Sequence, residues 1–255
     1  MNKTFSIIGT GFILPKHIEA IQKIGGEIID VVNEKSVYSW QEMIAKTKAD
    51  CLVILAPNHL HYGMIQEAIR YKKIVLCEKP LTLNFKEAES LIGIPDIFTV
   101  MQLRFHPVLE EIKKDLEQYQ KHIIEIEIFA HRDEDYYKTW KGNNNQSGGI
   151  LFNLGIHYFD LAFYLFGEPE AYSVKIEKRE AQGTFRGGNY FCSWKINTDI
   201  KKNEQHRIFR INNKNYDFSS KENLHQLVYA DLIRGRGILP EESSRSIFWV
   251  EKLNE

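Results

Sequence analysis

Lys79 sits between Glu78 and Pro80, directly after the apolar run Lys73–Cys77. A lysine at the end of a buried strand can donate a hydrogen bond to an alcohol or carbonyl oxygen whose charge changes during hydride transfer. A surface lysine before a strand-ending proline would read the same way. A second constellation lies in Gly148–Asp160, where Asn153 and His157 are spaced to share one helix face. Histidine is the natural base for an alcohol proton near neutral pH, although a lone helical histidine is often structural. Asp160 either orients its ring or accepts a surface hydrogen bond. The third place is Gly9-Thr10-Gly11, where an apolar run gives way to a helical pattern. Gly9 permits a tight turn, and Gly11 permits close backbone approach to a pyrophosphate resting on a helix N-terminus. Leu14 replaces the third glycine of that fingerprint.

These residues need elements to hold them. Up to residue 120, short β-rich runs (Lys3–Gly9, Glu27–Asn33, Asp50–Leu55, Lys73–Cys77 and a run near Ile97–Met101) alternate with helical patterns. The helices are Pro15–Ile24, Trp40–Lys46, His59–Arg70, a stretch near Phe85–Leu91, and Pro107–Tyr119. That alternation predicts an α/β fold with a doubly wound parallel sheet, whose strand carboxyl ends face a ligand crevice. Pro57, Asn58 and His61, after the third strand, would line it. The second strand ends at Asn33 or Glu34, candidates for an adenosine ribose; Asn33 can bond a hydroxyl, and Glu34 would repel a 2′-phosphate. NAD is therefore favoured over NADP.

From about residue 121 the pattern changes. Ile123–Ala130 alternates, with Glu125 and Glu127 on one side, as in a sheet covered on one face. Gly149–Phe166 reads as one long helix. Strand-like runs follow near Ala171–Glu177, Asn189–Ile196 and Arg207–Asn212, then helices over Glu222–Arg234 and Pro240–Leu253. Residues 1–120 are thus expected to form the dinucleotide domain. Residues 121–255 are expected to form an α+β substrate domain with an open, mostly antiparallel sheet. Its bare face would pair subunits into a homo-dimer or homo-tetramer.

The 255 residues carry 33 basic and 34 acidic groups, and neither half has the basic excess that binding a phosphate backbone needs. No nucleic-acid partner is expected. Three scattered cysteines, Cys51, Cys77 and Cys192, suit a reducing compartment. No run of about 18 consecutive apolar residues suggests a membrane partner. The apolar stretch after Lys3 is broken by Gly9, Thr10 and Gly11, unlike a secretory leader. A cytoplasmic protein is the expectation. His59 and His61 have no metal-type partner at matching spacing, so no metal is expected.

Taken in order, GTGFI at 9–13, APNHLH at 56–61, EKP at 78–80, QLRFHP at 102–107 and GGxxxNxGxHxxD at 148–160 resemble the Gfo/Idh/MocA oxidoreductase family. Wording such as GFILPKHIEAI, YYKTWKG, FNLGIHYFDLAFYLFG and LHQLVYADLIRGRG is similar to its UDP-N-acetylglucosaminuronate 3-dehydrogenase branch. The resemblance implies a Rossmann domain followed by an α/β domain, with Lys79 and His157 as the catalytic pair. Asn153 stands where many members have Asp, in keeping with that branch, and would orient the substrate. NAD would lie over Gly9, Gly11, Phe12 and Ile13, with Glu78, Lys79, Gln102, Trp140 and Lys141 among its further contacts. The implied reaction oxidises the C3 hydroxyl of a UDP-linked N-acetyl sugar acid in surface-polysaccharide synthesis, with a 2-oxo acid as a candidate hydride acceptor.

The polar loop Arg132–Lys141 suits such a substrate. Arg132 and Lys138 are candidate partners for a carboxylate or diphosphate, with Tyr136 beside them. A solvated charged loop anchored by aromatics is the plainer alternative. Two rivals stay open: another NAD(P)-dependent sugar or cyclitol dehydrogenase of the same family, and a catalytically silent dinucleotide-binding sensor.

Overall fold

The computed structural model describes residues 3–219 and 223–255, so Glu222, the expected start of the penultimate helix, lies outside the described residues. In chain order the first elements are β1 (Thr4–Ile8), α1 (Leu14–Lys23), β2 (Glu27–Val32), α2 (Trp40–Lys46), β3 (Cys51–Ile54), α3 (His61–Arg70), β4 (Ile74–Cys77), α4 (Phe85–Glu89) and β5 (Ile97–Thr99). Next come α5 (Val108–Leu116), β6 (His122–Phe129), α6 (Glu134–Lys138), α7 (Asn144–Ser147) and α8 (Ile156–Phe166). The chain closes with β7 (Ala171–Ile176), β8 (Glu180–Arg186), β9 (Tyr190–Asn197), β10 (His206–Ile211), β11 (Lys214–Asn215), α9 (His225–Leu232) and α10 (Pro240–Asn254). Two compact units result: Met1–Gln102 with Lys221–Ser244, and Leu103–Ser220 with Arg245–Glu255. The chain passes between these units after residue 102 and again after residues 220 and 244. Helix α9 belongs with the first unit because it packs along α1, where Tyr229 meets His17 and Asn223 Nδ2 donates to the Lys16 carbonyl at 2.7 Å.

The first unit carries a five-stranded sheet in the order β2-β1-β3-β4-β5, parallel throughout. Strands β3 and β4 are almost wholly buried (CLVI and IVLC), as continuous apolar strands covered on both faces must be. The order reverses between β1 and β3, and in doubly wound sheets the ligand crevice opens at the carboxyl ends beside that reversal. Helix α1 starts with Pro15 in its first turn, where the missing N–H costs nothing. It buries His17, Ala20 and Ile21 rather than the full Ile18–Ile21–Ile24 stripe that its sequence suggests.

The second unit carries a six-stranded sheet, β11-β10-β6-β9-β8-β7, with β6 and β9 parallel and every other pairing antiparallel. Strands β6 and β9 alternate in phase: Ile124, Ile126, Cys192 and Trp194 point inward, while Glu125, Glu127, Ser193 and Lys195 point outward. The inward face packs under α8 through a cluster of Phe159, Phe163, Phe185 and Trp194. Strand β8 is absent from the sequence reading because its polar run is interrupted by Gly183. A Cβ there would lie 2.1 Å from the Ser173 carbonyl oxygen and 2.6 Å from the Trp194 ring, so the glycine is what lets the indole close over the strand. The expected helix over Gly149–Phe166 is continuous but not uniform. Leu151–Gly155 forms a π-type turn before α8 begins. By length and composition, Asn144–Phe166 also passes as a membrane span, a likeness the residue-by-residue reading missed. However, 56% of its most apolar window is buried, as expected of a core helix.

Candidate functional site

The first unit places its candidates at the carboxyl ends of β1, β3 and β4. Gly9 has φ +107°, and a Cβ on it would meet the Leu55 carbonyl oxygen at 2.6 Å, so the turn off β1 admits only glycine. Gly11 is different. A Cβ there would meet nothing within 4 Å, so no protein neighbour demands glycine and the space above it is open. Phe12 beside it is 78% exposed, and half-buried Ile13 leads into α1. Asn33 follows β2 and donates from Nδ2 to the Thr10 hydroxyl at 2.8 Å, which ties the ribose-position residue to the glycine turn. This open cradle, with a helix N-terminus behind it and an amide at the end of β2, fits a dinucleotide.

After β3, Pro57 is half-buried and Asn58 is buried. His61 is fully buried, with Nδ1 2.7 Å from the Pro80 carbonyl and Nε2 2.8 Å from the Ala56 carbonyl. Expected to line the crevice, it instead braces the loop after β3 against the loop after β4. Burial lowers its pKa, opposed by those backbone hydrogen bonds. Lys79 is half-buried, between Glu78 and a cis Pro80. Glu78 turns inward, with Oε1 3.0 Å from His17 Nε2. Burial would raise its carboxyl, but the His17 hydrogen bond and the nearby His17 and His225 rings outweigh that and hold it well below the usual range. Gln102 is half-buried, and its Oε1 is buried with no hydrogen-bond partner, a polar atom left for a ligand or water.

The second unit gathers the loop candidates beside the helix that carries His157. Asp133 caps α6 by accepting the Tyr136 N–H at 2.8 Å, which sets the loop's course. The Arg132 guanidinium then lies 5.2 Å from the Tyr136 ring centre and the Lys141 ammonium 5.4 Å from it, with Trp140 at 5.8 Å from the same ammonium. Asn153, in the π-type turn, donates to the Lys141 carbonyl at 3.4 Å and fastens the loop to the helix. Arg132, Tyr136, Trp140, Lys141 and Asn153 therefore form one cluster. Burial and the nearby Arg132 charge both lower the Lys141 pKa, a strain that an anion would relieve. Burial raises the Tyr136 phenol, against the pull of Arg132. Lys138 stands apart, exposed and paired at 2.8 Å with Asp135, because its place at the end of α6 turns it to solvent.

His157 is half-buried in the first turn of α8. Asp160 is not at the surface. It is 2% exposed, and both its oxygens accept from Arg104, Oδ2 from Nε and Oδ1 from Nη2, each at 2.7 Å. The two motifs QLRFHP and GGxxxNxGxHxxD are thus joined by a buried bidentate ion pair.

Residues 3–94 match the family model described as oxidoreductase family, NAD-binding Rossmann fold, and residues 122–205 match its C-terminal alpha/beta domain. Among solved structures, the WlbA (WbpB) dehydrogenase from Thermus thermophilus in complex with NAD and alpha-ketoglutarate is 26% identical. It has a TM-score of 0.88 and covers 98% of this chain and 94% of its own. The same dehydrogenase in complex with NAD and UDP-GlcNAcA is 27% identical, with a TM-score of 0.84 and coverage of 96% and 92%. Among curated relatives, the myo-inositol 2-dehydrogenase of Thermotoga maritima is 26% identical over 191 residues, 64% of this chain and 54% of its own length. The chain spans about half the length of the curated relatives it matches. With both halves matched by its two domain models, the chain belongs to the Gfo/Idh/MocA oxidoreductases and carries that family's NAD-binding Rossmann fold.

Proposed function

We propose that this protein is an NAD-dependent dehydrogenase acting on the C3 hydroxyl of a UDP-linked N-acetylhexosaminuronic acid, in surface-polysaccharide sugar synthesis. The observation that carries the substrate class is the cationic pair Arg132 and Lys141 over Tyr136, fastened to the substrate helix through Asn153. A nucleotide sugar acid offers a diphosphate and a carboxylate to such a pair. A neutral cyclitol offers neither. The WlbA complex with UDP-GlcNAcA supports the same class, and the complex with alpha-ketoglutarate supports a 2-oxo acid as hydride acceptor.

Gly9, Gly11, Ile13 and Asn33 would hold NAD, with Gln102 as a further contact. Bound NAD supplies the hydride acceptor. His157 removes the proton from the reacting hydroxyl, and Lys79 donates a hydrogen bond to that oxygen and stabilises its developing negative charge. Asn153 orients the sugar, while Arg132 and Lys141 take its anionic groups, a role for Lys141 in place of the cofactor contact that the family resemblance implies. Self-association through the outward face of the second unit's sheet, where Ile123 and Phe191 are exposed beside each other on β6 and β9, is part of the same proposal.

The inositol dehydrogenase relatives give a second reading, a polyol dehydrogenase of the same family. A substrate panel separates the two. UDP-GlcNAcA should reduce NAD fastest, with UDP-GlcNAc slower for lack of the carboxylate and myo-inositol inert. Turnover of myo-inositol without turnover of any UDP-sugar would overturn the proposal in favour of the second reading.

A further inference from the structure

Both chain neighbours of Lys79 are gripped from inside the first unit, by residues that carry no role in the reaction described above. On one side, Glu78 Oε1 lies 3.0 Å from His17 Nε2 and 3.5 Å from His225 Nε2, while Oε2 accepts the Lys79 backbone N–H at 3.2 Å. On the other side, the Pro80 carbonyl meets His61, whose second ring nitrogen meets Ala56.

Counting donors fixes the direction of these bonds. Tyr229 is fully buried, and burial pushes its phenol pKa well up, so the group stays O–H. Its one proton goes to His17 Nδ1 at 2.8 Å, which leaves the His17 proton on Nε2, donated to Glu78. Asn223 Nδ2 donates to the Lys16 carbonyl, so the Asn223 oxygen is the atom 3.0 Å from His225 Nδ1, and that nitrogen is a donor. The ligand-type atoms of His17, Glu78 and His225 lie within 4.8 Å of one another, a spacing a metal ion can use. A metal on His17 Nε2 would need the His17 proton on Nδ1, and would leave the Tyr229 O–H without an acceptor in a dry core. The geometry instead describes a directed chain, Tyr229 to His17 to Glu78 to the Lys79 backbone.

We infer that Tyr229, His17 and His61 are positioning residues for Lys79: the first two orient the Glu78 carboxylate that holds the lysine's N–H, and His61 fixes the carbonyl that follows it. This rests on Lys79 being the catalytic lysine. Side chains set this firmly place the lysine on the same oxygen at every turnover, and small displacements of a catalytic group are expensive.

The test compares His17→Leu, His17→Gln, Tyr229→Phe and Lys79→Ala in the full chain, reading kcat, KM for UDP-GlcNAcA and NAD affinity separately. Leucine at 17 removes the donor and should lower kcat by roughly 10- to 100-fold while KM and NAD affinity stay within about twofold. Glutamine, whose amide can donate to Glu78, should recover most of that loss. Tyr229→Phe should fall between, and it keeps the test alive if His17→Leu does not fold, because the ring still packs on Phe5 at 5.5 Å between centroids. Unchanged kcat in folded His17→Leu or in Tyr229→Phe overturns the inference, as does equal impairment by Leu and Gln, which would mean packing alone. An inactive Lys79→Ala beside fully active His17 and Tyr229 variants sinks only this inference. Normal turnover by Lys79→Ala sinks the catalytic reading and the inference together.

Discussion

Asp160→Asn is a nearly isosteric change, yet it should be among the more destabilising single substitutions in the second unit. The carboxylate accepts two hydrogen bonds of 2.7 Å from Arg104, and the two side chains are only 3% and 7% exposed. Neutralising one partner leaves the guanidinium buried without the counter-charge of Asp160, beside the Tyr164 ring at 4.9 Å. Breaking a buried pair from one side costs about 3–5 kcal/mol. At about 2–4 °C per kcal/mol for a chain of this size, Tm should fall by roughly 6–20 °C. Replacing both partners, Arg104→Met with Asp160→Leu, removes the stranded charge and should recover most of the loss. Calorimetry on the wild type, the singles Arg104→Met and Asp160→Leu, and the double completes the cycle. A drop below about 2 °C for Asp160→Asn, or a double variant as unstable as the sum of the singles, would refute the reasoning.

Other outcomes follow from the same geometry. Burial holds the His17 ring below its ordinary pKa, against the hydrogen bond and charge of Glu78. Its contribution to stability is therefore whole above about pH 6.5 and is lost as pH falls below that, by up to about 1.4 kcal/mol per pH unit until the folded ring titrates. Urea unfolding from pH 7 to 5 should show that slope, and His17→Gln should flatten it. Gly9→Ala should unfold the first unit or cost it more than about 2 kcal/mol, from the contact with Leu55 and the positive φ together. Gly11→Ala should leave stability within about 0.5 kcal/mol while weakening NAD binding in calorimetry. Equal effects on stability at both glycines would contradict the open cradle. Lys141→Gln should raise KM for UDP-GlcNAcA about 10- to 100-fold through loss of a charged hydrogen bond. Lys138→Ala, an exposed i,i+3 pair with Asp135, should change KM by less than about twofold.

Much of the fold was legible because the strands that matter are continuous apolar runs. Strands β3 and β4 could be read directly, and with them the place of Lys79 at a strand end. Strand β8 was not, because Gly183 serves a tertiary neighbour, Trp194, that no local pattern announces. The return of α9 to the first unit was also hidden. It depends on Tyr229 and Asn223 meeting α1 across more than 200 residues of chain. At the candidate site, the turn at Gly9, the strand-end place of Lys79 and the helical place of His157 were legible as positions. His61 and Glu78 were read as crevice residues, yet both turn inward to hold the backbone around Lys79. One signal was available for His17. It lies at i, i+3, i+4 spacing with Ala20 and Ile21, and a histidine on the buried stripe of a helix needs polar partners.

The most direct test of the central claim is a single-turnover mix of stoichiometric enzyme, NAD and UDP-GlcNAcA, following NADH absorbance in wild type and Lys79→Ala. A steady-state assay would miss an enzyme that keeps its cofactor. The account predicts an NADH burst in the wild type that disappears in Lys79→Ala while NAD binding by calorimetry is retained. No burst from a wild type that binds NAD, or an undiminished burst in Lys79→Ala, would contradict it.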